Sequence, residues 1–364
     1  MDHAITTKGL NRALLARQML LAREKRPALG VVERLVGLQA QQARPPFVGL
    51  WSRLDAFRRE ELLKLLTSRK VVRATLMRAT LHLMSAKDYV AFRPALQPML
   101  SLGTTSVLRN RAKDLDLDAI VAAARETLAR RPGAFAEIRR SLVESFPNGD
   151  ERAMGYAVRT SLPLVTIPDD STWGFRADSS FGLAESWIGK PLSNREQPES
   201  LVLRYLEAFG PATAADVKTW SGLQGAQPVL DSLRPKLLVL RDERKRELFD
   251  LPQARRPEED TPAPPRFIAA FDNLILSHTD RSRIVPAEHR PRIVTKNLQV
   301  LPTFLVDGFV AGTWGSKISR NIATLTISPF VRLAKPVKAD LSGEAEKLIR
   351  FMEPEAKKFE VEFA

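Results

Sequence analysis

The chain has 364 residues, a formal charge of +14 and no cysteine. The missing thiols exclude a disulfide framework, a cysteine nucleophile and a thiolate metal site, and apolar runs such as Leu237 to Leu240 are far too short to span a bilayer. A hydrophobic share of 44% with 27% charged residues is ordinary for a globular protein, and Met1-Asp2-His3 does not open a secretory signal, so a cytoplasmic protein is expected.

In chain order, a helix is predicted from Leu10 to Arg26, ended by Pro27, and a second from Gly30 to Gln41, stopped by Arg44-Pro45-Pro46. A third covers Glu60 to Ser68. Two strands follow, Val71 to Thr75 and Arg78 to Met84, which gives helices followed by a hairpin, the layout of a winged helix. The plan recurs with helices at Ala119 to Ala129, from Phe135 and at Met154 to Thr160, then strands at Leu164 to Ile167 and Thr172 to Phe175. It recurs again with Leu201 to Phe209, Ala214 to Trp220 behind the N-cap Thr213, Gln227 to Arg234, and strands at Leu237 to Leu240 and Arg246 to Phe249. Three copies suggest an array; a single irregular helical domain is the alternative. A proline-rich linker, 253–266, leads into strands at Phe267 to Phe271, Gln299 to Val306, Phe309 to Trp314 and Ile322 to Ile327, then a helix from Ser342 to Met352 and a strand from Phe359 to Phe363. The expected fold class is α+β. Its parts are winged-helix repeats over 1–115, 116–195 and 196–252, the linker, and a barrel-like β-rich domain with a C-terminal helix over 267–364.

The positive charge, spread along the chain, favours a nucleic-acid partner over a basic surface kept for solubility, and both over a membrane surface. There is no phosphate loop and no nucleophile elbow, and His3, His82, His278 and His289 do not sit at metal-ligand spacing, so no metal or cofactor is expected. One segment stands out, Gln39-Ala40-Gln41 before Arg44-Pro45-Pro46. On a helix the two glutamines diverge, whereas in an extended run an i, i+2 pair points one way. Taken alone, two glutamines at a helix end are more often solvated or capping than functional.

Gly37 to Gln41, with Trp51 shortly after, resembles the Gln-x-Gln motif of the AlkZ branch of the AlkZ/YcaQ-type winged-helix DNA glycosylases, whose YcaQ branch carries Gln-x-Asp. Arg78 to Leu83 is similar to the wing strand of that family's first repeat, Gly210 to Thr213 with Trp220 to its third repeat, and Phe271 to His278, Asp280 to Arg283 and Val306 to Gly308 with Gly312 to Trp314 to blocks of its β domain. The resemblance implies three winged helices and a β domain around a DNA channel, Gln39 and Gln41 as catalytic residues, and a monofunctional glycosylase that removes cationic N7- or N3-alkylated purines from double-stranded DNA, bulky adducts and interstrand crosslinks included. A monomer associated with a bacterial nucleoid is expected.

Channel-lining or DNA-contacting roles are expected for Arg44, for Arg78, Thr80 and His82 on one strand face, and for His278, Arg281, Arg283, Arg292 and Lys296. For His82 a packed polar setting is slightly favoured over chemistry; for His278 structure and DNA contact stand even. The five tryptophans read as core more readily than as base-stacking platforms. A winged-helix transcription regulator and a noncatalytic DNA-protecting protein are the competing functions; the threefold plan without a dimerisation coiled coil argues against the regulator.

Overall fold

The computed structural model describes residues 4–108, 111 and 115–364. The first helix, α1 (Thr7–Arg17), is capped by the Thr6 side chain and ends nine residues before the predicted stop. Met19 adopts a left-handed φ of 56°, and the amides of Met19 and Leu20 bond back to Ala16 and Leu15, which closes the helix without a glycine to announce it. The same device ends α2 (Ala28–Arg34): Val36 has φ 53°, and the Gly37 amide returns to the Val32 carbonyl. The predicted helix through Gln41 is thus replaced by a turn and a two-residue strand, β1 (Leu38–Gln39). Pro45 and Pro46, read as a stop, instead start α3 (Pro45–Arg53), since the first helical turn needs no N–H donors there.

After α4 (Arg59–Thr67), β2 (Val71–Thr75) and β3 (Leu81–Ser85) pair antiparallel. Arg78 belongs not to the strand but to the connecting turn, Met77–Ala79, with φ 57°. A helix absent from the sequence reading follows, α5 (Ala86–Leu108), despite Pro94 and Pro98 within it. Pro94 cannot donate to the Val90 carbonyl four residues back; the Ser193 amide does so, at 3.0 Å. Three helices, α6 (Leu117–Arg130), α7 (Phe135–Ser145) and α8 (Glu151–Ser161), accompany β4 (Gly133–Ala134), β5 (Leu164–Thr166) and β6 (Ser180–Leu183). The strand expected at Thr172 to Phe175 is a loop: the Asp169 carboxylate gathers the amides of Ser171 and Arg176, each at 2.9 Å, and the Ser179 hydroxyl at 3.1 Å. β5 pairs with β2, so both hairpins join one six-stranded sheet ordered β1-β3-β2-β5-β6-β4.

The short α9 (Ala184–Ile188) leads to α10 (Pro198–Phe209), α11 (Ala214–Ser221), α12 (Ala226–Leu233) and a separate hairpin, β7 (Leu238–Arg241) with β8 (Glu247–Asp250). The linker lies against α1, where Arg12 donates to the Thr261 carbonyl. Beyond β9 (Arg266–Ile268) come two one-turn helices, α13 (Asn273–Leu276) and α14 (Arg290–Ile293), then β10 (Thr303–Val306), β11 (Phe309–Ser319), β12 (Ile322–Pro329), α15 (Lys335–Met352) and β13 (Lys358–Phe363). The five strands order as β13-β12-β11-β10-β9, with β13 and β9 at opposite ends, so barrel closure is not seen among the described residues.

The chain is α+β, and its cores cut across the helix-and-hairpin units. Val32, Phe47, Leu50 and Leu62 of α2 to α4 share one core with Phe267, Phe304, Leu325 and Leu348 of the C-terminal part. Leu14, Leu96, Leu206 and Trp220 share another with Ile268 and Ile284. Among the described residues, α6 to α8 keep a small core of their own, around Ile120, Leu128, Leu142 and Val158.

Candidate active site

The site begins with a glycine. Gly37 has φ +99°, and a Cβ there would lie 2.7 Å from the Leu83 carbonyl, so no other residue lets the chain pass this close to β3. The approach sets Gln39 opposite His82 across the β1–β3 pair. Gln39 is buried, and its Oε1 accepts a hydrogen bond from Arg78 Nη2 at 2.7 Å. Gln41, two residues on, is exposed, and its Oε1 accepts the Leu81 amide at 3.3 Å. The extended run thus brings both carboxamides onto the 78–82 segment. Buried Arg73 fixes the backbone between them, donating from Nε to the Ala40 carbonyl at 2.9 Å and from Nη2 to the Gln41 carbonyl at 3.3 Å. Burial pushes the Arg73 guanidinium down to about 10, which leaves it charged at neutral pH.

Arg78 connects three parts of the fold. Besides Gln39 it donates to Asn273 Oδ1 at 2.9 Å and to the Trp220 carbonyl at 2.5 Å. Burial, and Arg281 nearby, lower it to about 10, so it too stays cationic. His82 is fully buried; its Nδ1 lies 3.0 Å from the Thr80 carbonyl and so carries the proton, while Nε2 faces Arg78 at 3.4 Å. Burial first, and Arg78 second, push its pKa down to about 3, so the ring is neutral. Asn273 Nδ2 is buried without a protein partner.

Gln41 lies on the rim of a cleft of about 630 Å³ between the first hairpin and α7 and α8. Arg73, Arg139, Arg152, Arg159 and Arg176 line it against one acid, Asp178, with Phe135, Tyr156 and Phe181 between them. Such a basic, aromatic trough suits a nucleic-acid backbone. Against this geometry, a family model described as DNA glycosylase AlkZ-like matches residues 32–351. The chain belongs to the AlkZ-like DNA glycosylase family. Among solved structures, Streptomyces sahachiroi DNA glycosylase AlkZ matches with a TM-score of 0.80 at 20% identity, covering 100% of both chains, which shows the shared fold. No curated protein sequence matches the chain significantly. The protein is a DNA glycosylase acting in DNA repair, and family membership decides against the regulator and the noncatalytic alternatives.

Within this glycosylase the other expected contact residues separate into groups. Arg78, Thr80 and His82 do not line a groove as a strand face: Arg78 sits in a turn, the Thr80 hydroxyl donates to the Met77 carbonyl, and His82 is interior. His278 is also interior, its Nε2 on the Phe209 carbonyl at 3.0 Å and its Nδ1 beside the Ser277 hydroxyl at 2.9 Å. Arg283 is buried, donating to the Pro211 carbonyl at 2.8 Å. DNA-contact roles for His278 and Arg283 are therefore corrected to structural ones. Arg44 is held by Ser316 at 2.5 Å and Glu353 at 3.3 Å. Arg281 is half-buried near Arg78, whereas Arg292 and Lys296 are exposed; Arg292 stacks 4.0 Å over Phe330. His3 lies outside the described residues. Trp51, Trp220 and Trp314 are core residues as expected. Asn273, Arg73 and the arginines of α7 and α8 had no role assigned from sequence; Asn273 stands inside a quoted motif, but only the fold reveals its partner.

Proposed function

We propose that the protein is a monofunctional glycosylase that hydrolyses the N-glycosidic bond of purines made cationic by alkylation at N7 or N3, with Gln39 and Gln41 holding the attacking water. The enzyme acts as a cytoplasmic monomer on double-stranded DNA, its helix-and-hairpin units serving as three winged helices and its C-terminal part as the β-rich domain around a channel. The observation that carries the reading is the chemistry of the 78–82 cluster. None of the hydrogen bonds around Gln39, Gln41, Arg78 and His82 involves a carboxylate or a lysine among the described residues.

Without a titrating base, water is activated weakly, because a carboxamide orients but does not deprotonate. Without a nearby amine, no Schiff base forms and no lyase step follows. Such a site suits a leaving group that is already cationic. The C1′–N bond breaks, its electron pair neutralises the purine, water oxygen bonds to C1′ of the oxocarbenium-like sugar, and the proton passes to solvent. The open trough beside Gln41 leaves room for a bulky adduct or a crosslinked partner base.

Single-turnover excision of N7-methylguanine from a duplex, read by alkaline strand cleavage, tests the assignment. Gln39→Ala and Gln41→Ala are each expected to slow excision by about 100-fold while DNA affinity holds, since phosphate contacts carry binding. Gln41→Asp retains partial activity. Wild-type rates in both alanine variants would overturn the site assignment.

A further inference from the structure

We infer that Arg78 is a positioning residue that divides the work of the two glutamines, leaving Gln39 to donate and Gln41 to accept. The inference rests on the assignment of Gln39 and Gln41 as the water-holding pair. An arginine side chain has donors only, so whatever amide faces it must present oxygen. The 2.7 Å contact from Arg78 Nη2 therefore fixes Gln39 with Oε1 toward the guanidinium, and its Nε2 hydrogens are turned to the other side. The carbonyl oxygen bound to this cation is a poor acceptor for anything else, because its lone-pair density is drawn toward the charge.

Gln41 is arranged differently. Its oxygen meets a neutral backbone amide at the longer distance of 3.3 Å, and the residue is exposed on the trough. One lone pair of that oxygen stays available to a water. Before it adds, the water is held by a donor to one lone pair of its oxygen; as it adds to the sugar it grows acidic and needs an acceptor for its proton. Gln41 Oε1 and Gln39 Nε2 supply these separately.

Arg78 is itself over-determined. The left-handed turn aims it inward, Asn273 Oδ1 takes the second hydrogen of Nη2, and the Trp220 carbonyl takes Nη1. His82, kept neutral, lies 3.4 Å from Nη2 and adds no competing charge. The orientation of Gln39 is thus set jointly by the first hairpin, α11 and α13.

Exchanging donors for acceptors separates these roles. Gln39→Glu preserves the contact to Arg78 and the fold but replaces the outward N–H donors with an acceptor; excision is expected to fall by about 100-fold, with thermal midpoint and duplex affinity close to wild type. Arg78→Lys keeps the charge but not the fork; it is expected to lower the single-turnover rate by about 100-fold without changing the half-saturating DNA concentration more than about threefold. If Gln39→Glu excises N7-methylguanine at or above the wild-type rate while Gln39→Ala is inactive, the division of roles is wrong and the site assignment stands. If both alanine variants are active, the site assignment itself fails.

Discussion

Among the described residues, His82 and His278 are enclosed, each beside an arginine and each pushed to a pKa of about 3 by burial and then by that arginine. Their surroundings differ in one respect. Around His278 the polar groups close on one another: Arg283 donates to the Pro211 carbonyl, and Asp216 takes the amides of Thr213 and Thr279 at 2.9 and 2.8 Å. Against the cost of burial, Arg283 and the amides of Thr213 and Thr279 hold the Asp216 carboxyl below its ordinary value. Among the described residues, no hydrogen bond of His82 or Arg78 goes to a carboxylate. Arg78 meets only neutral acceptors, and Asn273 Nδ2 and Trp220 Nε1 have no protein partner. The first cluster matches its own donors, acceptors and charges, whereas beside the second, two buried N–H groups lack a protein partner.

The largest test of this contrast is Asp216→Ala. It removes the acceptor of the Thr213 and Thr279 amides and a charge that favours the buried Arg283 guanidinium, and is expected to cost about 1–3 kcal/mol of stability, seen as a lower denaturation midpoint, while excision per folded molecule stays near wild type. A variant that folds normally but cannot excise would show that this cluster also serves the reaction.

Smaller effects come from pH. Both rings are neutral when folded and have an ordinary value of 6.5, so the unfolded chain binds their protons first as the solution is acidified. The stability contributed by their neutral state is complete above 6.5 and is lost as pH falls from there toward 3. Thermal melts at several pH values should show a shallower acid decline in His82→Asn and His278→Gln than in the wild type. Excision has no such dependence, because carboxamides do not titrate: the single-turnover rate is expected to be flat between about pH 6 and 9. A bell-shaped profile would place a titrating acid or base in the site.

The smallest effect belongs to a residue outside both clusters. Arg152 lines the trough and enters no ion pair among the described residues. Arg152→Ala should reduce the slope of log affinity against log salt by about 0.9 for one phosphate contact, without changing the excision rate at saturating enzyme. An unchanged slope would move the DNA path away from the trough.

The first and third hairpins and the α+β class were legible from strand alternation and turn residues, and the family from its motifs; the second hairpin was not, its outer strand lying at Ser180–Leu183 and not at Thr172 to Phe175. Nor was the seating of Gln39. Val36 and Met19 adopt left-handed backbone without being glycine, so two helices end where no sequence signal marks it. Gly37 was the available clue, but its need for a close approach to Leu83 appears only once β3 is in place. The prolines act in two ways. Pro45 and Pro46 were read as an end and are a beginning, while Pro94 is tolerated because Ser193, distant in sequence, serves the orphaned carbonyl. Among the expected contact residues, His278 and Arg283 failed because a basic, polar motif looks alike whether it faces DNA or holds the interior together.

The shared core of α2 to α4 with the C-terminal sheet bears on how damage is found. The segment carrying the glutamines and the β11–β12 hairpin are seated on the same hydrophobic floor, so neither is free to travel toward the other when a duplex arrives. For the duplex path proposed above, the span between them would act as a fixed gauge, to which a helix weakened by a lesion would yield at less cost than an intact one, making the deformability of the DNA part of the selection.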